Sequence, residues 1–353
     1  MVEPYVAVCI QNEVRVCSRR SEVKQNVDRC CMLIDRCAGF FHRMLGEPVR
    51  LIAFPEYHLQ DWRGVTAPWW DREVDPLEVC ITIPGEETEQ LAQKAKHYGV
   101  YIVAQALELD PHFPGYFFNC GFIISPEGGI IYKRHKTEHA GFLMYASPHD
   151  VLDRYMEIYG KGRTVGETIF PVVETDLGIL GMCMCYEMIV PELHRQLVAN
   201  GAEVIIRPTA EMDVFQSEPR NISRVLDRAR AIENVAYYVV PHLGPSIYAG
   251  ARDEWAGASV IINYDGTVLA EARTTGETLI AAVVDVERLR RVRKVGSNYL
   301  AKSVPVKGVR GLPLYRPEVY DYWKKGSYPA NIWAKRPQTR QEKWDLIRDL
   351  GEK

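Results

Sequence analysis

The chain has no apolar run approaching the roughly 20 residues that a membrane-spanning helix needs. Its amino end carries neither a charged stretch leading into an apolar one nor a small-residue cleavage site. These absences give the expectation of a cytoplasmic protein with no membrane partner. Charge bias is also missing: 43 Lys and Arg stand against 46 Asp and Glu, a net charge of -3. That balance provides no basic field for nucleic acid and no acidic tail. No Cys-x-x-Cys pair occurs among the nine cysteines, and no glycine-rich phosphate loop is found. The odd cysteine count, with Cys30 and Cys31 adjacent in a helix-like stretch, fits reduced thiols better than a disulfide framework. His135-Lys-Thr-Glu-His139 matches an inverted zinc-protease pattern, but that pattern needs a helix to bring both imidazoles to one face, and this run leaves a strand directly. No metal and no cofactor are expected.

What is present is an apolar content of 47% in 353 residues, ample for a sizeable core. Short β-branched apolar runs alternate with amphipathic stretches. Tyr5 to Ile10 precedes a helical pattern over Glu22 to Leu45, and Glu87 to Tyr98 precedes Val100 to Ala104. Pairs of apolar runs flank the turns at Gly128 and Gly266. Strand-helix alternation implies βαβ units and the turn-linked pairs add antiparallel pairing, so the expected fold is α/β with mixed sheets. Periodicity leaves open whether two sheets stack. From Gly296 onward the chain is rich in Pro, Gly, Tyr and Lys, and five prolines between Pro305 and Pro337 exclude a long helix. The expected division is a catalytic domain over 1-290 and a carboxyl extension over 291-353 that packs on the core or on a neighbouring subunit.

Three apolar strands end in a reactive group: Leu51 to Phe54 in Pro55-Glu56, Ile130 to Tyr132 in Lys133-Arg-His-Lys136, and Leu180 to Met184 in Cys185. A thiol must lose its proton to attack, and a carboxylate partly removed from water behind Pro55 suits that task, which makes Glu56 the candidate base. A carbonyl attacked by sulfur becomes an oxyanion. An ammonium and the backbone N–H of Tyr186 would stabilise it. Lys133, Arg134 and Lys136 all offer a cation, and Cys183 competes with Cys185 as a core thiol that strand alternation sets on the same face.

Phe54-Pro55-Glu56, the basic run ending in Lys136, and Cys185-Tyr-Glu187 with Pro191-Glu192 resemble the three signature blocks of the nitrilase superfamily of carbon-nitrogen hydrolases. Asn119 to Ile124 with Pro126-Glu-Gly-Gly, Gly201 to Thr209, Arg228 to Asn234, and Gly257 to Ser259 before Asp265-Gly266 resemble supporting blocks in the family's order. The resemblance covers about residues 4 to 290. It implies an α-β-β-α sandwich, a Glu56, Lys136 and Cys185 catalytic set, a covalent thioester, and a homo-oligomer built from dimers. The family lysine closes its strand, which favours Lys136 over Lys133. Many members carry a second glutamate between lysine and cysteine. Glu138, Asp153 and Glu157 are available, and Glu157 in Tyr155-Met-Glu is preferred.

The stretch between Lys136 and Gly178, with His139, His149, Tyr145, Tyr155 and Tyr159, is expected to shape the substrate pocket. Arg230, Glu233 and Asn234 share one helical face within reach of the turn after Cys185 and read as a structural ion-pair network. A small amide is the preferred substrate, because Cys-Tyr-Glu replaces the Cys-Trp-Glu common in nitrilases and Pro84-Gly-Glu-Glu resembles the amidase and formamidase branch. A carbamoyl amine or a nitrile is the alternative, and a binding or assembly protein that has lost turnover is the alternative of another class.

Overall fold

The computed structural model describes residues 1–61, 76–138, 145–211, 222–248, 250–253 and 255–295. The carboxyl extension beyond 295 and His139 lie outside them. Two six-stranded sheets dominate. The first joins β15 (Thr278–Val284), β1 (Tyr5–Gln11), β3 (Val49–Ala53), β4 (Tyr101–Glu108), β5 (Phe118–Ile124) and β6 (Ile130–His135) in that order. The second joins β14 (Val268–Glu271), β13 (Val260–Ile262), β10 (Tyr237–Val240), β9 (Val204–Ile206), β8 (Gly178–Met182) and β7 (Val172–Thr175). In each sheet parallel neighbours lie at the centre and antiparallel pairs outside, β1-β3-β4 and β10-β9-β8 being the parallel runs. A small third sheet of β2 (Val14–Arg15), β11 (Ser246–Tyr248) and β12 (Ala251–Asp253) has no counterpart in the sequence reading; its strands of two or three residues are too short to show a period of two.

The stacking question resolves as a sandwich. Tyr5, Ala7 and Cys9 of β1, Leu51 and Ala53 of β3, and Tyr132 of β6 share one core with Leu180, Val204, Val239 and Ile261 of the other sheet. The opposite face of the first sheet, with Val6, Val8, Ile52 and Ile102, packs on the helices Val23–Leu45 and Glu86–Tyr98. Val23, Val27, Cys30, Ile34 and Cys37 recur at helical spacing and are buried, and each fully buried apolar side chain of this size is worth roughly 1.5–3 kcal/mol. Gly46 stops that helix at φ 80°, its N–H donating to the His42 carbonyl at 3.0 Å. The helices Pro191–Ala199 and Ile222–Asn234 cover the outer face of the second sheet through Leu193, Leu197 and Ala231. The layer order is therefore α-β-β-α.

The helix Val286–Val295 runs through the expected boundary at 290, and the buried Arg293 ties it to the carbonyls of Val235 and Ala202, each at 2.9 Å. Among the described residues no helix is long and apolar enough to cross a membrane.

Candidate active site

Glu56, Lys136 and Cys185 each sit just past a strand at one end of the sandwich. Glu56 follows β3, and the next residue, Tyr57, takes a left-handed φ of 61°. Alternation along β6 sorts the cations. Tyr132 enters the core between the sheets and Arg134 reaches Glu187 on the same side, so Lys136 continues that face. Lys133 lies on the opposite face, its Nζ 2.5 Å from Glu108 and 3.2 Å from Asp110. Neither Lys133 nor Arg134 is available to the site. Lys136 instead donates from Nζ to Glu56 Oε1 at 2.7 Å, with both residues buried.

Cys185 opens the short 3-10 helix Cys185–Ile189 three residues after β8 ends, in a left-handed conformation with φ 43°. A residue bearing a β-carbon holds that conformation at a cost of about 1–2 kcal/mol. Its N–H donates to the Pro208 carbonyl at 2.9 Å, and its own carbonyl accepts from Arg207 at 3.1 Å. The turn also corrects the expectation that Cys183 and Cys185 share a face. Cys183 is buried beneath the helix Pro191–Ala199 with Sγ 3.9 Å from His194 Nδ1, whereas Cys185 is partly exposed and lies within electrostatic range of Glu56 and Lys136. Alternation ends with the strand at Met182, and the positive φ redirects the side chain.

Glu56 Oε1 also accepts from Asn119 Nδ2 at 2.7 Å, while Oε2 is buried without a partner among the described residues. Asn119 is in turn held through its Oδ1 by Gln105 Nε2 at 2.7 Å. One carboxylate oxygen is thus doubly occupied and the other is left open. Loss of hydration works against the charge of Lys136, yet the negative groups around it, Glu56 first, raise its pKa well above the usual lysine value. Burial and the Glu56 charge push the Cys185 thiol up to about 12, with Lys136 opposing them. The resting site therefore holds a neutral thiol beside a carboxylate-ammonium pair. Tyr145 is buried with its ring centroid 5.8 Å from Lys136 Nζ.

Glu187 joins these pieces. It receives Arg134 at 2.6 and 2.7 Å, the Thr137 N–H at 2.7 Å and the Met184 N–H at 2.7 Å. It clamps the residue after Lys136 to the residue before Cys185. Burial alone would raise its pKa, but Arg134 and then Lys136 and the Thr137 N–H bring it down to about 2. In the sequence Glu187 shows only as part of a motif, and the partnerships of Asn119, Arg134 and Gln105 do not show. The signal for Arg134 was its even spacing from Lys136; Asn119 and Gln105 carry no local signal, because their neighbours come from other strands.

Other expectations are not met. Glu157 is exposed on the helix Leu152–Tyr159 and pairs with Arg154 at 3.0 Å, and Asp153 is exposed as well. Of the three acids, Glu138 is the one beside the turn, its N–H 3.4 Å from Glu187 Oε1 and its carboxyl raised by burial and by the Glu187 charge. Tyr155 and Tyr159 do not line a pocket between the sheets. They stack around Phe113 and His135, which lies on Phe118 on the outer face of the first sheet. Tyr186 is partly exposed in the first turn after Cys185, where a helix N–H has no partner from its own helix. Arg230 reaches the Met188 carbonyl at 3.1 Å and pairs with Glu233 at 2.9 Å, while Asn234 donates to the Arg230 carbonyl at 3.0 Å. That face therefore steadies the turn.

Glu108, Cys120 and His135 bring three potential ligand atoms within 4.8 Å of one another on the outer face. Lys133 and the His135 ring already occupy the two Glu108 oxygens, and burial raises the Cys120 thiol well above its usual pKa.

The chain is 29% identical over 227 residues to the bifunctional nitrilase/nitrile hydratase NIT4A of Nicotiana tabacum, a match that takes in 61% of this chain and 59% of that one. It is 26% identical over 298 residues to the formamidase of Bacillus thuringiensis, covering 83% of this chain and 78% of the formamidase. Among solved structures, Saccharomyces cerevisiae Nit3, a member of branch 10 of the nitrilase superfamily, superposes with a TM-score of 0.60 at 20% identity, covering 82% of this chain and 93% of that one. An amidase from Nesterenkonia sp. AN1, carrying the acetamide moiety of fluoroacetamide on its active site cysteine, superposes with a TM-score of 0.56 at 18% identity over 83% and 94% of the two chains. Residues 6–294 match the carbon-nitrogen hydrolase family model, and the chain belongs to that family.

Proposed function

We propose that this protein hydrolyses the carbon-nitrogen bond of a small amide through a thioester on Cys185. The observation that carries the reading is Glu56, whose Oε1 is held by Lys136 and Asn119 while its buried Oε2 has no partner among the described residues. A carboxylate with one free oxygen beside a neutral thiol is arranged for general-base catalysis. Oε2 takes the Cys185 proton as sulfur bonds to the amide carbon, and the carbonyl electron pair moves onto oxygen. Lys136 and the Tyr186 N–H stabilise that oxyanion. When it collapses the carbon-nitrogen bond breaks, and the departing nitrogen takes the proton from Glu56. Water, losing a proton to Glu56, then attacks the thioester, the carbon-sulfur bond breaks, and the thiol is reprotonated as a carboxylic acid leaves.

Amide is favoured over nitrile because the formamidase of Bacillus thuringiensis aligns with 83% of the chain, against 61% for the tobacco nitrilase/nitrile hydratase. Neither cofactor nor metal is part of this reading, since every proton and electron pair is accounted for by the side chains named. Assembly through dimers remains part of the proposal, and so does a cytoplasmic location. The test is ammonia release from a panel of small amides, carbamoyl amines and nitriles. Release from amides that disappears in Cys185→Ala supports the reading, and no release from any of them overturns it.

A further inference from the structure

We infer that Arg207 is a positioning residue that holds Cys185 in its reactive conformation. The inference rests on the reading of Cys185 as nucleophile. Arg207 follows β9 in the second sheet and is fully buried. Its Nη1 donates to the Cys185 carbonyl at 3.1 Å, to Thr209 Oγ1 at 3.2 Å and to Glu211 Oε1 at 2.7 Å. Its Nη2 donates to Asp227 Oδ2 at 2.7 Å and to Ser223 Oγ at 3.2 Å. Two carboxylates and two hydroxyls thus fix the plane of a guanidinium that also reaches the backbone of the nucleophile. The planar fork supplies what an ammonium cannot, several bonds in fixed directions at once.

Cys185 needs such a hold. At φ 43° its peptide stands in a conformation that a residue with a β-carbon leaves readily, and relaxation to negative φ would swing Sγ away from Glu56 and Lys136. The Pro208 carbonyl, adjacent in sequence to Arg207, takes the Cys185 N–H at 2.9 Å. Residues 207 and 208 therefore grip the two peptide units that flank the Cys185 α-carbon, and the strand β9 lends its rigidity to the turn. Because Arg207 acts through Cys185 and not on substrate, its loss should lower kcat and leave KM nearly unchanged.

The test compares Arg207→Lys with Asp227→Asn. Both disturb the Arg207–Asp227 pair, but only the first loses the fork that spans Asp227 and the Cys185 carbonyl. Each is assayed below its melting temperature, after the parent has been shown by intact-protein mass to form an acyl adduct on Cys185. The expected result is a kcat lower by about a hundredfold in Arg207→Lys, the size of loss a small misplacement of a reacting group produces, with KM within a few-fold of the parent and Asp227→Asn losing far less. If Arg207→Lys does not fold, Arg207→Met combined with Asp227→Asn, which removes both charges, takes its place against the same comparator. A variant that keeps the parent kcat, or falls in step with Asp227→Asn, overturns the inference. A parent without an adduct overturns the nucleophile reading itself, a separate and recognisable failure.

Discussion

Arg134 and Glu187 are both fully buried and meet through two hydrogen bonds of 2.6 and 2.7 Å, and this pair ties the strand that ends in Lys136 to the turn that presents Cys185. Glu187 bonds in addition to the N–H groups of Thr137 and Met184, the immediate neighbours of Lys136 and Cys185. One carboxylate thus links the segment that carries the cation to the turn that carries the thiol.

Removing that carboxylate's charge leaves Arg134 buried with nothing to balance it. Glu187→Gln should cost about 3–5 kcal/mol of stability, the usual penalty for breaking one side of a buried pair. The pH dependence follows from its depressed pKa of about 2 against an ordinary 4.5. The stabilisation is fully present above the ordinary value and fades as pH falls from there through the folded value. Denaturant unfolding of parent and variant between neutral and strongly acidic pH checks this. The parent should lose stability over that window more steeply than Glu187→Gln.

The two lysines of the basic run should behave oppositely. Lys136→Ala removes the ammonium that bonds Glu56 and faces Cys185, and should lower kcat by about a hundred- to a thousandfold. Lys133→Ala removes a partner of Glu108 on the far side of the sheet, and should cost roughly 1–3 kcal/mol of stability while turnover persists. Steady-state rates with thermal melts on the two variants decide it.

The resting thiol should be unreactive at neutral pH. With the Cys185 pKa raised to about 12, alkylation by iodoacetamide should quicken about tenfold per pH unit through the mildly alkaline range, without a plateau. Lys136 opposes that rise, so Lys136→Ala should alkylate more slowly at every pH. Peptide mapping of Cys185 over time measures both. A plateau near neutrality would mean a thiolate already formed at rest.

Much of this was legible in the chain, and what escaped has a common cause. The helix over Val23–Leu45 and the strands ending near Glu56, Lys136 and Cys185 carry their own periodicity, so local patterns locate them. The preference for Lys136 over Lys133 comes instead from the resemblance, in which the family lysine closes its strand. Glu157 failed as a second acid because a short helix turns it to solvent, and spacing from Lys136 says nothing about that rotation. Asn119, Gln105 and Arg207 were missed because each acts on a residue from a different strand, at separations of 63, 14 and 22 residues for Glu56, Asn119 and Cys185. The face assigned to Cys185 was wrong because a positive φ outside the strand is invisible in a pattern of alternation.

The central claim is the covalent step at Cys185, and intact-protein mass spectrometry of the enzyme quenched during turnover of a small amide tests it most directly. The account predicts an added acyl mass that maps to Cys185, appears together with released ammonia, and is absent in Cys185→Ala, whose stability stays within about 1–2 kcal/mol of the parent. Ammonia release that persists in Cys185→Ala, or an acyl mass that maps to another residue, would contradict it.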